Sequence, residues 1–267
     1  MRKIGILTGG GDCPGLNAVI RGVVARCMRE DIAVFGFYAG WRGVLENEGR
    51  WLTRADVEGI QTLGGTILGS SRTNVMKFEN GPEVVREAME RLDLEGLVAV
   101  GGDDTLGVAN TLRKLGMNMI GVPKTIDNDL ILTDHTPGFG SAAKYVASTV
   151  REIVLDASVY QQRSVTIVEI MGRHAGWLTA ASALARKESG DNPLLIYLPE
   201  APFELAQFND DLKKAFEKTA NVIVCVSEGI RDHGGRFICE YSTEAQVDTF
   251  GHKMLAGCGK ILENYVR

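Results

Sequence analysis

Four aspartates and one lysine sit in two short turns of this chain. Gly101-Gly102-Asp103-Asp104-Thr105 follows the apolar run Gly96-Leu97-Val98-Ala99-Val100, and Pro123-Lys124-Thr125-Ile126-Asp127-Asn128-Asp129 follows Met119-Ile120-Gly121-Val122. Carboxylates beside a lysine, with backbone amides freed by paired glycines, suit a metal-bound polyphosphate, and the chemistry they suggest is phosphoryl transfer. Both apolar runs read as buried strands with a helical pattern between them. The two turns are therefore expected on one edge of a parallel sheet, the edge at which open α/β folds place their ligands.

Two glycine-rich segments extend this set. Thr8-Gly9-Gly10-Gly11-Asp12-Cys13-Pro14-Gly15-Leu16-Asn17 joins the first strand to the first helix. Its glycines allow the backbone to pass close to an anion, and the helix N-terminus offers unpaired N–H groups. No Gly-Lys-Ser/Thr follows, so it is not a P-loop, and its glycine spacing does not match the dinucleotide fingerprint. A tight strand–helix turn is the alternative, and the acidic turns favour phosphate binding. The second segment, Gly64-Gly65-Thr66-Ile67-Leu68-Gly69-Ser70-Ser71-Arg72-Thr73-Asn74, carries a single arginine that could hold a phosphate in bidentate fashion; alone it reads as a surface loop.

The elements that must position these residues alternate from the start. Strands are expected over residues 3–7, 33–38, 96–100 and 119–122, with helices over 16–29, 82–92 and 106–115. The alternation then restarts, with helices over 140–155, 175–185 and 204–218 and strands over 164–170, 194–198 and 221–226. Such βαβ order argues parallel sheets covered on both faces. Turn residues Pro137-Gly138-Phe139-Gly140 suggest a boundary, giving an α/β domain over 1–138 and a second over 139–267. The chain has 267 residues, 45% hydrophobic and 24% charged, with a formal net charge of −5. That balance excludes a basic nucleic-acid face and a disordered tail, and the apolar runs are strand-length, too short to span a membrane. The start meets its glycines too soon for a signal peptide. Five scattered cysteines form neither a disulfide framework nor a zinc set, which points to a cytoplasmic location; Cys13 is expected to be an inert small residue.

With these residues assembled, the chain resembles the phosphofructokinase family. The resemblance is carried by residues 9–18, by Arg72, Gly101-Gly102-Asp103, Thr125-Ile126-Asp127-Asn128-Asp129, Met171-Gly172-Arg173 and Ser227-Glu228-Gly229, in the family's order across nearly the whole chain. It implies two parallel-sheet α/β domains of the phosphofructokinase type. It places Gly11 at the phosphoryl donor and Arg72 between donor and acceptor phosphates. Asp103 becomes the magnesium-associated carboxylate, and Asp127 the base for the C1 hydroxyl of fructose 6-phosphate. Thr125 and Asp129 support the loop and the metal or its waters. Thr125, Ile126, Asp127, Met171, Gly172, Arg173 and Glu228 line the substrate site, and Arg163 reaches the sugar phosphate of a neighbouring subunit. The resemblance thus implies Mg²⁺ as cofactor and a homo-oligomer, a dimer or tetramer.

Donor choice can be argued from charge. Residue 104 is Asp where the ATP-using branch typically has glycine, and residue 124 is Lys where well-known ATP-dependent bacterial members have glycine. A carboxylate at 104 would meet the α-phosphate of a nucleotide. Two like charges about 4 Å apart repel by about 4 kcal/mol at an effective dielectric near 20. Pyrophosphate has no α-phosphate, and Lys124 offers it a positive charge, so Asp104 and Lys124 count among the donor-binding and catalytic residues of the pyrophosphate-dependent branch. The alternatives are an ATP-dependent 6-phosphofructokinase and a non-catalytic subunit on the same fold. His252, in Phe250-Gly251-His252-Lys253, is expected to face solvent or cap a helix rather than bind sugar phosphate. Family members continue beyond the position of Val266-Arg267 through a His/Arg loop that completes the sugar site. The expectation is therefore a fragment with an incomplete second domain, binding donor better than it catalyses.

Overall fold

Alternating apolar strands and amphipathic helices build a five-stranded sheet at the start of the chain, seen in a computed structural model that describes residues 1–241 and 257–267. The order is β1 (Arg2–Thr8), α1 (Leu16–Arg29), β2 (Ile32–Phe37), α2 (Trp41–Glu46), β3 (Gly49–Leu52), α3 (Arg54–Val57), α4 (Gly81–Arg91), β4 (Gly96–Gly101), α5 (Asp103–Lys114) and β5 (Met119–Pro123). In space the strands run β3-β2-β1-β4-β5, all parallel except β3. The chain leaves β1 towards β2 on one side and returns to β4 on the other. The order of connection therefore reverses between β1 and β4, and at such a switch point the loops beyond the carboxyl ends diverge to leave room for a ligand. α1 covers one face through Leu16, Ile20 and Val24, spaced four apart and fully buried. On the other face Leu7, Phe37, Leu97 and Ala99 pack with Trp41, Val85, Ala88, Val108 and Leu112 of the helices.

Two expectations for this sheet are corrected, and two elements are added. The run at 119–122 is not a buried strand: Met119 is buried but Ile120 is 59% exposed, because β5 lies at the sheet edge. The first acidic turn is itself helical, since α5 begins at Asp103 rather than at residue 106. Carboxylates are favoured in a first helical turn, where the backbone N–H groups concentrate positive charge. β3 and α2 were not foreseen; β3 is a four-residue antiparallel edge strand with one buried residue.

The remainder comprises α6 (Phe139–Ala157), β6 (Ser164–Ile170), α7 (Trp177–Ala181), β7 (Leu195–Tyr197), α8 (Leu205–Phe216), β8 (Asn221–Ser227) and α9 (Cys258–Val266), with the three strands parallel in the order β6-β8-β7. The helix expected over 175–185 is α7 followed by a 3₁₀ turn, Ser182–Ala185. Central β8 is buried at every position, and its period of two feeds two cores. Val222, Val224 and Val226 meet Phe208 and Leu212 of α8 and Leu262 of α9, whereas Ile223 and Cys225 meet Val150 of α6 and Leu178 of α7. Truncating Phe208, fully buried, to Ala costs about 3–5 kcal/mol by loss of transfer energy and by the cavity left behind.

By its own contacts the chain divides into two compact units. The first is Met1–Thr125 with Leu130–Leu132 and Thr136–Gly138; the second is Ile126–Asp129, Thr133–His135 and Phe139–Arg267. His252 lies outside the described residues. Among the described residues no helix is long and apolar enough to cross a membrane.

Candidate functional site

In the first unit, the loops after β1, β4 and β5 leave the same sheet edge because their strands are adjacent and parallel. Thr8 pairs with Val100, and Gly101 with Pro123. The Gly9 amide donates to the Val100 carbonyl at 2.9 Å, and the Lys124 amide to that of Gly101 at 3.0 Å. This edge therefore gathers Gly11, Asp103, Asp104 and Lys124. Gly10 has φ 87°, a left-handed conformation that side-chain-bearing residues rarely adopt, and the turn depends on it. Gly11 needs no such freedom, and a Cβ placed on it would meet nothing within 4 Å among the described residues. Protein packing does not require glycine there, and the bare backbone faces open space.

Lys124 lies deeper in this edge than the exposed Asp103. It is 5% exposed, and its Nζ donates to the Gly11 carbonyl at 2.6 Å. Its charge thus lies beneath the first glycine loop as a tether as well as a cation. Arg72 joins the same edge through its neighbours. The Gly10 amide donates to the Ser71 carbonyl at 2.9 Å, Ser70 Oγ donates to the Gly10 carbonyl, and Ser71 Oγ donates to the Ala39 carbonyl. The arginine itself is exposed. Cys13 is 1% exposed, its Sγ beside the Pro137 carbonyl, as an inert small residue would be. Thr125 closes the second turn: its amide donates to the Pro137 carbonyl, and its own carbonyl accepts from Thr136 Oγ1 at 2.6 Å.

In the second unit, the Met171-Gly172-Arg173 turn follows β6 and Glu228 follows β8, adjacent parallel strands. The Glu228 amide donates to the Ile170 carbonyl, and its Oε1 accepts from the amides of Gly172 at 3.2 Å and Arg173 at 3.0 Å. A single carboxylate thereby shapes the turn. Gly229 permits this approach, since a Cβ on it would lie 1.5 Å from the Arg173 carbonyl oxygen. Met171 is exposed and Arg173 half-buried. Asp127 and Asp129 flank Asn128, whose φ is 58° and whose Nδ2 donates to the Asp134 carbonyl at 3.2 Å. Ile126 sends its side chain into the core beside Phe139, so only its main chain remains for a ligand. Arg163 precedes β6 whereas Met171 follows it, so about 25 Å of strand separates them. Within one chain Arg163 does not join Arg173 and Glu228; it lies against the Phe216 ring at 5.5 Å.

The residues present fit a divalent metal that arrives with a polyphosphate. Asp103 is an exposed carboxylate in the first turn of α5, and no group of three or more His, Cys, Asp or Glu forms a cage among the described residues. Magnesium is usually held by one or two carboxylates together with substrate phosphates and waters. What the sequence reading missed is the support of these loops. Asn17 is 3% exposed and holds the 63–67 segment. Its place in the first turn of α1 beside the glycine loop was the available signal. Thr105, 2% exposed, packs under Gly9 and Gly101.

The model of the phosphofructokinase family matches residues 3–265. A pyrophosphate–fructose 6-phosphate 1-phosphotransferase from Amycolatopsis methanolica is 43% identical over 265 residues, covering 99% of this chain and 75% of that protein. An ATP-dependent 6-phosphofructokinase 2 from Streptomyces coelicolor is 38% identical, covering 97% and 74%. The crystal structure of a pyrophosphate-dependent phosphofructokinase from Marinobacter aquaeolei superposes with a TM-score of 0.76 at 31% identity, covering 89% of this chain and 62% of that one. This chain thus spans less than two thirds of that solved structure's length. From residue 3 through almost all of its last helix, the chain belongs to the phosphofructokinase family.

Proposed function

We propose that this chain transfers a phosphoryl group reversibly from pyrophosphate to the C1 hydroxyl of fructose 6-phosphate, giving fructose 1,6-bisphosphate and phosphate, a step of glycolysis. The observation that carries the donor assignment is the buried Lys124 ammonium under the Gly11 carbonyl, on the edge that also bears Asp104. Lys124 and Arg72 supply positive charge to the transferring group, and the open backbone at Gly11 admits a phosphate. Asp104 repels the extra phosphate of a nucleotide, which disfavours the ATP-dependent alternative. Asp127 accepts the C1 hydroxyl proton as that oxygen bonds to phosphorus and the bond to the departing phosphate breaks. Arg173, with its turn fixed by Glu228, and Met171 hold the sugar phosphate, and Arg163 serves the site of a neighbouring copy in a dimer or tetramer. Asp103 and Asp129 would hold magnesium, which when bound neutralises charge on the phosphate oxygens. The presence of Asp103 and Asp127 argues against a non-catalytic subunit. Five free, buried cysteines fit a cytoplasmic location.

The test is turnover by the purified chain with fructose 6-phosphate, magnesium and either pyrophosphate or ATP, reading fructose 1,6-bisphosphate. Product with pyrophosphate and not with ATP supports the reading. Comparable rates with both donors, or product with ATP alone, contradict it.

A further inference from the structure

We infer that Asn17 is a positioning residue for the donor site, acting through the loop that carries Arg72; this rests on the pyrophosphate reading above. Asn17 is 3% exposed in the first turn of α1, and its amide spans 46 to 50 residues of sequence. Nδ2 donates to the carbonyls of Leu63 at 3.3 Å and Gly64 at 3.1 Å, and Oδ1 accepts from the Ile67 amide at 2.8 Å. Two acceptors on one side and one donor on the other fix which way the amide points. No other side chain of similar size offers two donors and an acceptor in this arrangement.

The next residues of the loop are held by the same strand–helix connection. Thr8, fully buried, donates from Oγ1 to the Gly69 carbonyl at 2.7 Å, and Gly10 pairs with Ser70 and Ser71. The segment is thus fastened at 63–67, at 69 and at 70–71, and Arg72 follows these fastenings directly in the chain. It contains Gly64, Gly65 and Gly69, so its backbone has little stiffness of its own, and Asn17 supplies the register. Because Asn17 is buried, it acts on the donor through this loop and not by contact. A misplacement of about 1 Å at a reacting centre can cost roughly 100-fold in rate.

The experiment is a double-mutant cycle on the full chain between Asn17→Ser and Arg72→Lys, reading kcat with pyrophosphate, binding of fructose 6-phosphate, and hydrogen exchange over 63–72. Asn17→Ser is expected to lower kcat about 10- to 100-fold, to leave fructose 6-phosphate binding within about twofold, and to speed exchange in that segment. In the Arg72→Lys background the same substitution is expected to cost less than about threefold, because the two residues act as one unit. Should Asn17→Ser fold poorly, Thr8→Val removes another fastening of the same loop at nearly constant volume and is expected to show the same coupling. Independent, multiplying effects in both cycles would overturn the inference while leaving the donor assignment intact. An unmodified chain that neither turns over nor binds pyrophosphate would overturn the donor assignment and this inference with it.

Discussion

Replacing Lys124 with Met separates the charge of this side chain from its packing. Lys124 is 5% exposed and its ammonium lies 2.6 Å from the Gly11 carbonyl, a charge-assisted bond of about 1.5–3 kcal/mol. With pyrophosphate bound, a cation about 4 Å from a phosphate adds roughly 4 kcal/mol at an effective dielectric near 20. Met keeps the length of the stem and removes both terms. The Gly11 carbonyl, on an exposed residue, can recover part of the first from water. The Gly11 bond exists with or without pyrophosphate, so the lost phosphate attraction of about 4 kcal/mol sets the drop in kcat/KM for pyrophosphate, roughly 10³-fold. Folding should change little or improve, since Met removes the desolvation cost of a buried ammonium. The assay is coupled detection of fructose 1,6-bisphosphate alongside thermal unfolding. A drop below tenfold with an unchanged midpoint would refute the donor role of Lys124.

Asp104→Gly is expected to tighten ATP binding at least tenfold, about 1.4 kcal/mol, in a direct titration, and no change would remove the electrostatic ground for donor choice. Asp127→Asn preserves shape and is expected to lower turnover by about 10²- to 10⁴-fold while leaving fructose 6-phosphate binding near normal; near-normal turnover would move the base elsewhere. Glu228→Ala frees the Gly172 and Arg173 amides and is expected to raise KM for fructose 6-phosphate roughly 100-fold without altering that for pyrophosphate. Burial pushes the Cys225 thiol up to about 11 from 9.0. The unfolded chain therefore releases this proton first, so stability is intact below pH 9 and declines as pH rises towards 11, by about 2–3 kcal/mol from this group. Denaturant midpoints for Cys225→Ala should show a shallower alkaline decline than those of the parent, and parallel curves would count against it.

The site could be read from sequence where local chemistry and chain order coincide. Residues 9–11, 101–104 and 123–125 each follow an apolar run, and parallel pairing of β1, β4 and β5 carries them to one edge. The α/β alternation was legible for the same reason. β3 was hidden because Gly49–Leu52 has a single buried residue and so no alternation to detect, and α2 because its N-cap is Gly40 rather than a residue that signals a helix start. The exposure of Ile120 depends on β5 being the last strand of its sheet, which no local pattern records. The same limit applied to Asn17. Its role depends on partners about 50 residues away, and a small polar residue near a helix start reads equally well as an ordinary first-turn residue.

The central claim, that the edge bearing Gly11, Arg72, Asp104 and Lys124 selects pyrophosphate, is tested most directly by calorimetric titration of the chain with pyrophosphate and with ATP in the presence of magnesium. Pyrophosphate binding at least tenfold tighter than ATP, with the gap closing in Asp104→Gly, is the expected result. Equal or tighter binding of ATP by the unmodified chain would contradict it.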